Sequence, residues 1–298
     1  MPEAVPKEPE KVVIKPVRIA PTIATVFDKQ GNTRDAQGRP IDRRTCILVG
    51  DRMHEDRYTA SPGTARDLEA LAAELAPIAD FRVRCVMRSN SEQAELYRQY
   101  SAWVAAGRPK PGTSKWDGRN MRTDAASAPN RSHHGWGGAM DIGISALRFY
   151  DGRQGDAALA AFWPIAARHG FTSIISEPRV DRSESWHFDH LGPLREVREM
   201  FRSRVAENAE YASAHAIAAE VGCVLLGTHT GTLQMERYVQ ARLLIGGHWC
   251  GLPDGKIGNK TRAALKAIGI DALATSSASE LIAQLDLHGV GVEQLKAL

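Results

Sequence analysis

Apolar positions recur along the chain in two rhythms. Leu68, Leu71 and Leu75 fall at i, i+3 and i+7, which predicts a helix from about 65 to about 76, started by the turn Ser61-Pro62-Gly63-Thr64. Phe81, Val83, Cys85 and Met87 alternate with Arg82, Arg84 and Val86, the period of a strand. Ser91, with Gln93 and Glu95, opens another helix, on which Leu96, Tyr97 and Tyr100 give an apolar stripe. Alternation returns at Ala139 to Ile144, where Asp141 and Gly143 share one face and Met140, Ile142 and Ile144 the other. A helix over 156–169 closes at Gly170, and Phe171 to Ile175 is extended. Val197, Met200, Phe201 and Val205 keep core spacing on a charged helix, which turns alanine-rich towards Val224 and breaks at Gly227 to Gly231. Val239, Leu243 and Leu244 line a last amphipathic helix that stops at Gly246-Gly247.

Between these elements lie stretches with no period. Residues 1–22 hold Pro2, Pro6, Pro9, Pro16 and Pro21 among Glu and Lys, and read as a flexible or extended tail. Residues 27–44 are polar and read as a hairpin or loop before a short strand, Cys46 to Val49. Gly107 to Asn130 is long for a structureless loop, and such loops often wall a cleft. Trp116 within it is either a substrate platform or an anchor for the loop. Strands and helices in this mixture predict an α+β domain, a small antiparallel sheet flanked by helices, followed by a small all-α bundle.

Composition narrows the classes. The formal net charge of +3 suits mild attraction to an anionic polymer and is too small to argue for nucleic acid. No run is long and apolar enough to cross a membrane, and the first residues lack the apolar core of a signal peptide. Cys46, Cys85, Cys223 and Cys250 form no C-x-x-C pair, so they give neither a zinc ribbon nor a disulfide framework. They read as buried free thiols made in a reducing compartment.

The chemistry is concentrated in two stretches, SHHGWGGAMD from Ser132 to Asp141 and ESWHF from Glu184 to Phe188. Gly135, Gly137 and Gly138 allow a tight turn between His134 and Asp141. An apolar strand presenting one Asp needs a partner for it, because a buried unpaired carboxylate is costly. A metal is one such partner and a salt bridge another. Two imidazoles and a carboxylate are the N and O donors of a catalytic zinc site, which keeps a fourth position for water. The expected ligands are His134, Asp141 and His187, with Glu184 working on the water.

Ser132, His134, Gly137, Ala139 and Asp141, then Glu184, Trp186 and His187, make this chain resemble the zinc D-Ala-D-Ala carboxypeptidases and dipeptidases of the VanY and VanX type, a family that includes phage endolysins. The pattern is S-x-H, a small-residue turn and an Asp, then E-x-W-H. The resemblance implies one zinc ion, and amide hydrolysis in a peptidoglycan stem. The bond is either of the D-Ala-D-Ala carboxypeptidase or of the L-Ala-D-Glu endopeptidase type. It implies that Arg88, in the stretch RSNSEQAELY, contacts the scissile carbonyl or a substrate carboxylate, and that Gln93 orients its neighbours. Ser132 is expected in support of the ligands and Trp186 beneath His187, with His133 and His190 as bystanders.

Farther on, Val239, Gln240, Leu243, Asp254, Gly255, Gly258, Thr261, Ala264 and Leu265 match the peptidoglycan-binding module of many wall hydrolases. The expected organisation is a tail over 1–22, a zinc peptidase domain over 23–208, a helical connector over 209–230 and the wall-binding module over 231–298. The expected protein is a monomer with peptidoglycan as its partner. It is made in the cytoplasm and reaches the wall through a holin or a virion. A non-catalytic wall-binding protein with a structural zinc, and a host carboxypeptidase, are the competing expectations.

Overall fold

The computed structural model describes residues 22–25, 44–47, 59–204, 214–228, 233–272 and 276–298. It has the expected α+β character, with small antiparallel sheets, flanking helices and a helical C-terminal part. β1 (Thr22–Thr25), β2 (Arg44–Ile47) and β3 (Thr59–Ala60) form a three-stranded sheet in the order β2-β1-β3. The strand expected at Cys46–Val49 thus pairs from Arg44 to Ile47, and β1 had no counterpart in the reading of the sequence. Residues 1–21 and 26–43 lie outside the described residues.

α1 (Pro62–Leu75) starts at its proline, whose missing N–H costs nothing in the first turn. Leu68, Leu71 and Leu75 face the core as the spacing predicts. The strand expected over 81–87 is shortened to Val83–Cys85, and a separate strand precedes it. β4 (Ala79–Asp80) pairs with β7 (Arg148–Phe149), while β5 (Val83–Cys85) joins a four-stranded sheet. The ladder shifts between Val83 and Cys85, so simple alternation fails and Val86 and Met87 are both buried. α2 (Asn90–Ala105) is capped by Ser89, not Ser91: its hydroxyl accepts the Glu92 N–H at 2.8 Å. The expected apolar stripe is not a core face, since Tyr97 is exposed and Gln93 is the residue α2 buries.

The sheet that organises the molecule runs β5-β6-β9-β8, all antiparallel, with β6 (Ala139–Ile142), β8 (Phe171–Ser173) and β9 (His187–His190). Met140, Ile142 and Phe188 point to one face, where they meet Leu68 and Leu71 of α1 and Phe162 of α3 (Gly155–Arg168) in one core. Alternation turns Asp141 and His187 to the other face.

α4 (Leu194–Arg204), α5 (Ala214–Leu225), α6 (Gln234–Ile245), α7 (Asn259–Ala267), α8 (Ala278–Leu287) and α9 (Val292–Ala297) share a second core with Trp136. Val197 and Phe201 are buried there as expected; Val205 lies outside the described residues. Gly222 lets α5 approach closely, because a Cβ there would meet the Trp136 indole and Leu194 at 2.9 Å. Leu298 lies against α1, with Gly63 N–H donating to Leu298 O at 2.9 Å.

In the C-terminal part, Gln240 is the hub of the turn that resembled a wall-binding module. Its Nε2 donates to Asp254 Oδ1 at 2.9 Å and its Oε1 accepts the Gly255 N–H at 2.8 Å. Gly255 takes a φ of 78°, open to glycine, and Gly258 precedes α7, where Thr261 is buried. These residues build the turn, as their structural character in the motif suggested.

Candidate metal centre

The site is a row across the sheet. In the ladders Asp141 of β6 lies opposite Cys85 of β5 on one side and His187 of β9 on the other. The 3-10 turn His133–Trp136 brings His134 onto the same spot, and Gly137, at φ 75°, reverses the chain into β6. Ser132 flanks this turn, with its carbonyl accepting the Gly135 N–H at 2.9 Å.

Three donor atoms converge. His134 Nε2 is 3.1 Å from Asp141 Oδ1 and 3.1 Å from His187 Nδ1, and His187 Nδ1 is 3.0 Å from Asp141 Oδ1. The tautomers follow from the remaining nitrogens. Val86 O can only accept, so His134 carries its hydrogen on Nδ1, 2.6 Å away, and turns the Nε2 lone pair inward. Asp189 Oδ1, at 2.8 Å, accepts from His187 Nε2, so the neutral ring turns its Nδ1 lone pair inward. Two lone pairs and a carboxylate oxygen about 3 Å apart repel unless a cation sits among them. A divalent metal with N and O ligands about 2.0–2.2 Å away meets this donor set.

The electrostatics fit a metal ion or a proton on His187 as that cation. Burial pushes the His134 pKa down, which keeps its ring neutral. Burial also opposes a charged His187, but Asp189 and Asp141 outweigh it and raise that pKa to about 10. A proton is thus the metal's competitor for His187 Nδ1. Asp141 is held well below the usual carboxylate range: burial alone would raise it, and His134 and His187 reverse that.

Arg88 Nη2 donates to Asp141 Oδ2 at 2.9 Å and Nη1 donates to Gln93 Oε1 at 3.0 Å. Gln93 Nε2 in turn donates to Ser127 O at 2.6 Å, so it links Arg88 to the long loop. Glu184 is half-buried and takes a left-handed backbone, φ 65°, rare for a residue with a side chain. That bend, closed by the His187 N–H donating to Glu184 O at 3.0 Å, lets residues three apart serve one site. Burial raises the Glu184 pKa; His187, Asp141, and Asp124 and Arg122 of the long loop also act on it. The Trp116 indole lies against Gly118 of its own loop, which fits either expected role. Trp186 is half-buried against the sheet core.

Four residues close to the site had no role in the reading of the sequence. Cys85 Sγ joins His134 and Asp141 within 4.8 Å, in a group able to hold a metal ion. Asp189 is two residues beyond His187, on the same face of a strand, a signal that periodicity could have given. His133 is buried, with Trp136 Nε1–H donating to its Nδ1 at 3.1 Å. His215, on α5, has its Nδ1 3.2 Å from Asp189 Oδ2. His190 ties β9 to α1, through Thr64 Oγ1 at 3.0 Å and Asp67 Oδ2 at 2.7 Å.

No family model matches this chain, and no curated protein matches it.

Proposed function

We propose that this chain is a zinc-dependent peptidase that hydrolyses an amide bond in the peptide stem of peptidoglycan. The observation that carries the reading is the convergence of His134 Nε2, Asp141 Oδ1 and His187 Nδ1, with half-buried Glu184 near enough to interact electrostatically with His187 and Asp141. The S-x-H turn with its Asp, and the later E-x-W-H, point to the VanY and VanX type of peptidase. Zinc, when bound, supplies Lewis acidity that polarises a carbonyl and acidifies water.

The chain's own residues do the rest. Glu184, with its raised pKa, accepts a proton from the attacking water as the new carbon–oxygen bond forms. It returns that proton to the leaving nitrogen as the carbon–nitrogen bond breaks. Arg88 fixes the ligand carboxylate of Asp141, and its remaining N–H groups suit a developing oxyanion or a substrate carboxylate. Gln93 holds that guanidinium in place. The helical C-terminal part, with its Gln240-centred turn, would keep the enzyme on the wall, as in a phage endolysin or virion lysin.

One observation favours a second reading. A Cys85 thiolate added to the three ligands would close the coordination, as in a structural zinc site. Against it, Cys85 Sγ is 3.4 Å from Met87 O, placed to donate its S–H there as a neutral thiol.

Zymography on purified wall separates the two. Glu184→Ala should abolish clearing while zinc stays bound, and Cys85→Ser should leave both clearing and zinc intact. Equal clearing by wild type and Glu184→Ala would overturn the enzymatic reading. Loss of zinc in Cys85→Ser would favour the closed site.

A further inference from the structure

His133, Asp189 and His215 form a second cluster, the first two buried and His215 half-buried, with one donor atom from each lying within 4.8 Å of the others. Proximity alone would make this a second metal site, but the hydrogen bonds argue otherwise. Trp136 donates to His133 Nδ1, so the neutral ring keeps its own hydrogen on Nε2 and has no lone pair left to give. Asp189 already uses both oxygens. Oδ1 accepts from His187 Nε2 at 2.8 Å, and Oδ2 is 3.2 Å from His215 Nδ1.

We infer that Asp189 and His215 are positioning residues for His187, so that α5, expected only as a connector, helps to hold the metal centre. The inference rests on the metal-binding reading proposed above. Its argument is one of restricted freedom. His187 has two nitrogens, and the hydrogen on Nε2 decides that Nδ1 faces Asp141. Asp189 is fixed by its ladder pairing with Ala139 and is almost wholly buried, so its carboxylate cannot turn to bulk water. A buried carboxylate is tolerated when its oxygens are paired. His215 supplies the second partner from a different element, which stops the carboxylate from swinging away from His187. Ligating histidines commonly need such a carboxylate to fix the ring and raise its basicity.

The experiment is zinc affinity by chelator competition on the full chain, with folding followed by thermal melting. Asp189→Ala should weaken zinc about 10- to 100-fold. His215→Ala should weaken it less, by roughly threefold or more, and His215→Gln, which keeps a donor, should recover part of the loss. A second readout is nitrogen-15 NMR of the zinc-loaded protein. His187 should carry its hydrogen on Nε2 in wild type and lose that uniform state in Asp189→Ala. A folded Asp189→Ala with wild-type affinity would overturn the inference. Should that variant fail to fold, Asp189→Asn and His215→Ala decide, and unchanged affinity in both overturns it. A wild type that takes up no zinc overturns the metal reading and this inference together, and is recognised because no substitution is needed to see it.

Discussion

Each ligand of the candidate centre is aimed by a neighbour that uses its other polar atom. Val86 O does this for His134, Asp189 for His187 and Arg88 for Asp141. The residues of this cluster were legible because alternation on β6 leaves Asp141 opposite Met140 and Ile142, and because glycines mark the turn after His134. Asp189 obeys the same alternation. His215 left no trace, because its distance from Asp189 is set by how α5 folds back and not by any local period. The cysteines give a test at this scale. Burial pushes the Cys223 and Cys250 thiols up to about 12, so neither is a thiolate at pH 8. Disulfide-exchange reagents should leave both unmodified in the native protein at that pH and label both once it is unfolded. Rapid native labelling of either would contradict the burial described. The expectation of free buried thiols thus holds for Cys85, Cys223 and Cys250, while Cys46 has no described side-chain environment.

Elements followed the patterns where one face was buried and departed from them where the ladder is irregular. α1 and α3 sit close to their predicted spans because leucine spacing and the Gly170 stop are local signals. The strand expected over 81–87 is shortened to β5, whose ladder carries a register shift that no period of two can reveal. α2 lacks a buried apolar face because its inward residue, Gln93, bonds to Arg88 and to the loop. The turn before β6 is the most demanding element. Gly137 has φ 75°, and a Cβ there would lie 2.7 Å from Ser61 N. Gly137→Ala combines an unfavourable backbone with a clash, and should cost about 1–3 kcal/mol in a denaturant melt. Zinc affinity should fall with it, because His134 rides on the same turn. An unchanged melt would mean that the turn relaxes freely.

At the scale of the molecule, the two cores meet at the site. Trp136 neighbours His134 in the 3-10 turn, yet it belongs to the core of α4 to α9. The helical C-terminal part is therefore packed against the turn that carries His134 as well as after it in sequence. A chain ended at residue 230 should melt at least 10 °C lower and bind zinc more weakly. An equal melt would show that the expected module is separable. Another tie joins β9 to α1 through His190 and Asp67. Burial alone would raise the Asp67 carboxyl, but His190 and Arg66 outweigh it and hold it below the usual range. A carboxylate that ionises more easily folded than unfolded stabilises the fold above its unfolded pKa of about 4. That contribution disappears as pH falls through the lower, folded value. Asp67→Asn should therefore lower stability at pH 7 by roughly 0.5–1.5 kcal/mol, the net worth of one hydrogen bond. The gap to wild type should narrow as pH drops below about 4. A gap that widens in acid would reverse the sign and reject the assignment. Among the described residues no helix is long and apolar enough to cross a membrane.

The most direct test is metal content and affinity in the purified full chain, with Asp141→Ala and His187→Ala alongside. The account predicts one tightly held zinc per wild-type chain, and loss of nearly all of it in either variant while the fold persists. A wild type without zinc after exposure to the metal, or variants that hold zinc as firmly as wild type, would contradict it.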